Sequence, residues 1–205
     1  MKQIVGILLA AGQGSRFGSD KLLHHLSDGT PMAVAAARHL RPACDRLIAV
    51  LRPGSASLTD LLAAEGCETI ICPAAEAGMG HTLAAGVRAS PEALGWVVAL
   101  GDMPFIAPGS HQAVSASLRA GARLAATSFH GRRGHPVGFA AQWFDKLAVL
   151  TGDQGGKSIL EEQRLALVLC PVEDAGVLRD IDQPADLETS NRQWPQPKAP
   201  ALSSR

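Results

Sequence analysis

The chain opens with a short apolar run, Ile4-Val5-Gly6-Ile7-Leu8-Leu9. It breaks at once into Ala10-Ala11-Gly12-Gln13-Gly14-Ser15-Arg16-Phe17-Gly18-Ser19-Asp20-Lys21. A continuous apolar run of this length suits a strand covered on both faces, as in a parallel sheet. The glycines behind it let the backbone turn tightly and aim its N–H groups inward, which makes an anion cradle. Arg16 adds a bidentate donor and Lys21 a mobile positive charge. The combination suits a polyphosphate, with an ordinary glycine-rich turn bearing two solvated basic residues as the plain alternative.

The rest of the sequence repeats the alternation. Strand-like runs fall at 46–51, 68–72, 96–100, 123–128, 165–170 and 177–181, and helical segments at 32–40, 57–65, 80–88, 108–120, 142–150 and 157–163. Pro184 opens a last short helix, and residues 129–139 read as an irregular or hairpin excursion. Strand–helix alternation implies an α/β fold with a mostly parallel central sheet and helices on both faces. Its length of 205 residues suits one domain, placed at 1–190. The proline-rich end, 191–205, reads as a disordered tail.

Composition removes several classes of function. Nineteen basic residues balance nineteen acidic ones, so no net positive charge favours nucleic acid. No apolar run approaches the roughly 20 residues that cross a membrane, and the N-terminus lacks a signal-peptide pattern. The four cysteines, Cys44, Cys67, Cys72 and Cys170, form no C-x-x-C pair. They are expected to be reduced thiols in a cytoplasmic protein.

Two familiar phosphate motifs fail on inspection. A dinucleotide fingerprint needs its third glycine one place before Gly18, and Arg52-Pro53 stand where an acidic residue should close the second strand. Thr151 to Ser158 ends in G-K-S, but a helix-like segment precedes it and Thr151 replaces the first glycine, so it is a decoy for a P-loop. A second informative segment is Leu100-Gly101-Asp102-Met103-Pro104. A carboxylate just after a buried strand emerges at the carboxyl end of the sheet, where α/β folds bind ligands. Asp102 could hold Mg²⁺ there or make a local turn before Pro104.

In this order these segments resemble the MobA/MocA-like NTP transferases. The family's L-x-A-x-G-x-S-x-R-x-G-x-x-K loop stands at Leu8 to Lys21 and its G-D-x-P at Gly101 to Pro104. Glu76 to Leu83, Gly134 to Phe139, Gly152 to Gly155 and Asp180 to Leu187 resemble four further family segments. Gly80 and His81 depart from the pattern, where small hydroxyl residues are usual, and Gln183 replaces a threonine. The resemblance covers about residues 1–190.

The resemblance implies a Rossmann-like nucleotidyltransferase fold and transfer of a nucleotide from an NTP to a phosphorylated acceptor, with release of pyrophosphate. It assigns nucleotide binding to Leu9, Ala10, Ala11, Gly12, Gly14, Ser15, Arg16 and Lys21, and to Gly78, Met79 and Thr82. It assigns catalysis to Arg16, Lys21 and Asp102, and metal binding to Asp102 and Asp182. The metal is Mg²⁺, with Mn²⁺ as the alternative. Asp180 rivals Asp182, since strand alternation would put both carboxylates on one side. His135 and Pro136 are the acceptor candidates, although His135 could equally be a turn residue. Arg132-Arg133 and His24-His25 read most simply as solvated.

Leu9-Ala10-Ala11-Gly12 resembles the cytidylyl-transferring branch, whereas the guanylyl branch carries L-A-G-G. The expected substrates are therefore CTP and molybdopterin cofactor, and the expected partner a molybdoenzyme of the xanthine or aldehyde oxidase type. The alternatives are a guanylyl or other NTP-dependent transferase, or a non-catalytic carrier that hands the cofactor to its target enzyme.

Overall fold

Strand β1 (Ile4–Ala10) is buried along its whole length. Its alternate residues go to opposite faces, as the two-residue period of a strand requires. Ile4, Leu8 and Ala10 pack in one apolar layer, and Val5, Ile7 and Leu9 in another. The computed structural model describes residues 2–12, 20–183 and 186–187. The expected tail and Pro184 itself lie outside the described residues, while Asp186 and Leu187 of the expected last helix are helical.

Helix α1 (Met32–Leu40), β2 (Arg46–Leu51), α2 (Ala56–Ala64), β3 (Glu68–Ile71), α3 (Met79–Arg88), β4 (Gly95–Leu100) and α4 (Pro108–Arg119) follow in strict alternation. Then come β5 (Leu124–Phe129), β6 (Arg132–Ala140), α5 (Phe144–Ala148), α6 (Lys157–Glu162) and β7 (Leu167–Pro171). The described residues form a sheet of seven strands in the order β3-β2-β1-β4-β6-β5-β7. Among these strands only β6 runs antiparallel, to β4 and to β5. Residues from α1, α2 and α4 share one apolar layer, and residues from α3, α5 and α6 share the other. Among the described residues no helix is long and apolar enough to cross a membrane.

Apolar burial dominates the energetics. Each fully buried Leu, Ile or Val contributes about 1.5–3 kcal/mol. The bidentate Arg38–Glu65 pair, with the arginine side chain 54% exposed, contributes at most about 1 kcal/mol.

Two expectations change. The excursion at 129–139 is an inner strand, β6, inserted between β4 and β5. His130 (φ 48°) and Gly131 (φ 75°) turn the chain between β5 and β6, and two successive positive φ values suit a tight hairpin. Residues 177–181 form no strand. A 3₁₀ turn at Ala175–Leu178 leads the chain across the carboxyl end of the sheet instead. Buried Asp174 fixes this crossing by accepting from the Ala107 N–H (2.8 Å), the Ser110 hydroxyl (2.6 Å) and the Gly176 N–H (2.9 Å). These bonds tie the segment to the start of α4.

Candidate functional site

Because β1, β2 and β4 are parallel neighbours, their carboxyl ends bring Ala11, Arg52 and Asp102 to one edge. The Gly101 N–H donates to the Leu9 carbonyl at 3.0 Å, so the turn after β4 lies against the end of β1. Gly14, Ser15 and Arg16, expected in the nucleotide loop, lie outside the described residues.

Lys21 returns to this edge on a 3₁₀ turn, Lys21–Leu23. The Asp20 carboxylate starts the turn by accepting from the Leu22 N–H at 3.3 Å. The Lys21 side chain is only 10% exposed. Its ammonium meets Asp102 Oδ2 at 2.9 Å and Asp182 Oδ1 at 3.3 Å. Burial opposes the lysine charge, but the hydrogen bond and charge of Asp102, followed by those of Asp182, outweigh it and hold the pKa above the ordinary lysine value. Asp182 arrives because the Ile181 N–H donates to the Asp102 carbonyl at 3.0 Å, which pins the C-terminal crossing to the turn after β4. Asp180 is exposed and acts electrostatically on His135. The crossing is not a strand, so alternation does not relate the two carboxylates.

Above this triad lies a chamber of about 430 Å³, lined by Leu9, Ala11, Gly12, Lys21, Gly78, Met79, Thr82 and Asp102, with Glu76 and Asp153 at its acidic side. Ala10 is buried in β1 beside it. A second chamber of about 410 Å³ shares Leu9, Met79, Leu100 and Asp153 with the first, so the two form one cleft. Its walls are largely apolar (Leu83, Val98, Val137, Phe139 and Leu160), and Arg133, His135, Asp153, Gln154 and Lys157 supply its polar groups. Pro136 is buried within β6. His135 Nδ1 is buried without a hydrogen-bond partner among the described residues. Burial pushes the His135 pKa down, partly offset by the Asp102 charge.

Helix α3 meets the cleft through its N-terminus. Gly78 has φ 127°, and a Cβ there would collide with the Gly152 backbone. A Cβ on Gly80 would lie 2.5 Å from the Thr151 carbonyl oxygen, and the Gly80 N–H donates to the Gly152 carbonyl at 2.7 Å. The departure from the family pattern at Gly80 is thus a packing requirement. Its amide serves the 151–153 turn. The G-K-S decoy lines the second chamber through Asp153, Gln154, Gly156 and Lys157, and its Asp153 also reaches the first; Gly156 caps the start of α6.

Three residues escaped the sequence reading. Arg52 was noted only as a missing acid, yet it pairs with Asp20 at 2.8 Å. Lys157 was absorbed into the decoy. Asp153 lines both chambers, and the sequence marks its stretch only as the Gly152–Gly155 resemblance and the decoy around it.

The family model described as "MobA-like NTP transferase domain" matches residues 6–167. The purine catabolism protein PucB of Bacillus subtilis is 29% identical over 199 residues, covering 92% of this chain and 96% of its own. The crystal structure of Rv0371c from Mycobacterium tuberculosis has a TM-score of 0.80 at 29% identity, covering 92% of this chain and 96% of that one. A manganese complex of Rv0371c gives a TM-score of 0.77 at 27% identity, over 94% and 100% of the two chains.

Proposed function

The chain belongs to the MobA-like NTP transferase family and is a nucleotidyltransferase, and from that premise we propose that it transfers CMP from CTP to the molybdenum–molybdopterin cofactor and releases pyrophosphate. The observation that carries this reading is the pairing of Lys21 with both Asp102 and Asp182, in the lining of a chamber that shares four residues with a second, more apolar one. A triphosphate in the first chamber meets the Lys21 ammonium, and the acceptor stacks in the second against Phe139 and Leu160. Arg133 and Lys157 there suit an acceptor phosphate. Ala11, where the guanylyl branch has glycine, adds a methyl to the chamber wall and favours the smaller base.

The residues fit a divalent cation. Two carboxylates converging on one ammonium mark a cation-seeking place, and their oxygens are hard ligands that suit Mg²⁺ or Mn²⁺. Asp102 and Asp182 would hold the ion. When bound it supplies neutralisation of the triphosphate charge, and the manganese complex of Rv0371c supports such use. The protein's own part is positioning. Lys21 exchanges a carboxylate for a phosphate oxygen and holds the chain of phosphates in line with the acceptor. Transfer of this kind needs alignment and charge complementarity rather than a protein nucleophile.

PucB's name places it in purine catabolism, which agrees with a product destined for a molybdoenzyme of the xanthine oxidase type. The test is pyrophosphate release and product mass with CTP, GTP, ATP and UTP, each with Mg²⁺ and purified cofactor. The cytidine dinucleotide should dominate. Equal use of CTP and GTP would refute the base assignment. Cofactor binding with no pyrophosphate from any NTP would favour the carrier.

A further inference from the structure

We propose that Arg52 is a positioning residue for the nucleotide, acting through Gly12 and Lys21; the inference rests on the nucleotide reading of the first chamber. Strand β2 ends at Leu51, opposite Ala10 of β1, so Arg52 leaves the sheet beside the cleft. One guanidinium nitrogen, Nη1, donates to the Gly12 carbonyl at 2.8 Å. The other, Nη2, donates to Asp20 Oδ2 at 2.8 Å. The second Asp20 oxygen accepts from the Leu22 N–H, which starts the turn that carries Lys21. A single rigid fork therefore sets two backbone positions at once: Gly12 at the end of the first strand and the turn that aims the Lys21 ammonium at Asp102.

The pair is not an ordinary surface bridge. The Arg52 and Asp20 side chains are 21% and 20% exposed, whereas Arg46 and Glu68, also joined across strands, are 35% and 52% exposed. Screening is weaker for the drier pair. The two contacts also point in different directions, to a carbonyl and to a carboxylate. A planar fork can serve both, but an ammonium on a flexible stem serves one at a time. Gly12 and Lys21 both line the first chamber, so misplacing either alters nucleotide binding. Displacements near 1 Å at a site of this kind cost up to about 100-fold.

The test uses the full chain and measures binding of Mg-CTP and, in parallel, Mg-GTP, together with kcat, KM and melting temperature. Arg52→Gln is expected to weaken binding of the preferred nucleotide by about tenfold while the melting temperature stays near that of the unmodified protein. Asp20→Asn should do the same, and the double variant should be no worse than the poorer single one, because both break one linkage. Arg52→Lys should recover part of the loss. Lys21→Ala is the control on the nucleotide reading. If Lys21→Ala weakens binding but Arg52→Gln and Asp20→Asn leave it within about twofold, or if the two losses multiply, the role of Arg52 is overturned alone. If Lys21→Ala also leaves both nucleotides unaffected, the nucleotide reading itself falls.

Discussion

The two chambers share a wall but are built on opposite principles. The first sits where three parallel strands end, and charge marks it: the Lys21 ammonium holds the Asp102 and Asp182 carboxylates at 2.9 and 3.3 Å. The second is bounded by the antiparallel strand β6, and its walls are mostly aliphatic and aromatic, with Arg133 and Lys157 exposed at its edge. A charged group buried among partners acts strongly and locally, because little water screens it. Apolar walls act by area and shape, and discriminate between ligands by smaller steps. Under the proposed function, the first chamber is expected to govern rate and the second which acceptor is held.

The sharpest way to break this division is Asp102→Asn, which keeps shape but removes the negative charge facing Lys21. Turnover should fall about 100-fold or more, with the circular dichroism spectrum unchanged. A folded variant with near-normal kcat would show that the charge cluster does not govern rate.

The next effect concerns stability behind the second chamber. His111 on α4 is 1% exposed, and burial pushes its pKa down to about 3, with neighbouring His39 and His135 adding to the fall. The folded state keeps this imidazole neutral, while the unfolded chain protonates it below its ordinary value near 6.5. Stability is therefore complete above about pH 6.5 and is lost as pH falls, by up to about 1.4 kcal/mol per unit. His111→Gln should remove that part of the slope. Urea unfolding at about pH 7 and about pH 5 measures it, and an unchanged slope would show that His111 is charged in the folded protein.

A smaller effect separates the chambers directly. Lys157→Ala should raise the acceptor KM about fivefold, equivalent to about 1 kcal/mol, and leave the NTP KM within about twofold. Initial rates with each substrate varied in turn decide it. An equal rise in both KM values would merge the chambers into one site. Ala11→Gly should have the least effect. The ratio of CTP to GTP turnover should drop a few-fold without inverting, since one methyl contributes about 1 kcal/mol of selectivity. No change in that ratio would remove Ala11 from base selection.

Much of the first chamber was legible in the sequence. The run into Gly12 at 4–12, Lys21 and the G-D-M-P turn at 101–104 are each short local features, and they emerge at the same edge once the strands are parallel. The second chamber was legible only through the Gly134–Phe139 resemblance, which named His135 and Pro136 but not the strand that carries them. Its strand β6 carries Gly134, Pro136 and Gly138, residues that weaken any local strand signal. The hairpin turn that starts it depends on His130 adopting positive φ, which sequence alone does not announce. Asp174 shows the same limit. Nothing in the residues beside it along the chain marks it, yet it holds the C-terminal crossing in place through three hydrogen bonds.

What the sequence by itself determined is the chain of local decisions: where apolar periodicity makes strands and helices, where glycines permit a cradle, and which acids follow a buried strand. These depend on residues close together along the chain. Only the tertiary structure decided which distant residues meet. Lys21 and Asp182 lie 161 positions apart and touch because one backbone hydrogen bond, from Ile181 to Asp102, carries the C-terminal segment over the sheet edge. Arg52 reaches the Gly12 carbonyl because β2 pairs with β1 in the register that sets Leu51 opposite Ala10. Contacts of that kind follow from strand order and burial over the whole molecule, and no window of neighbouring residues contains them.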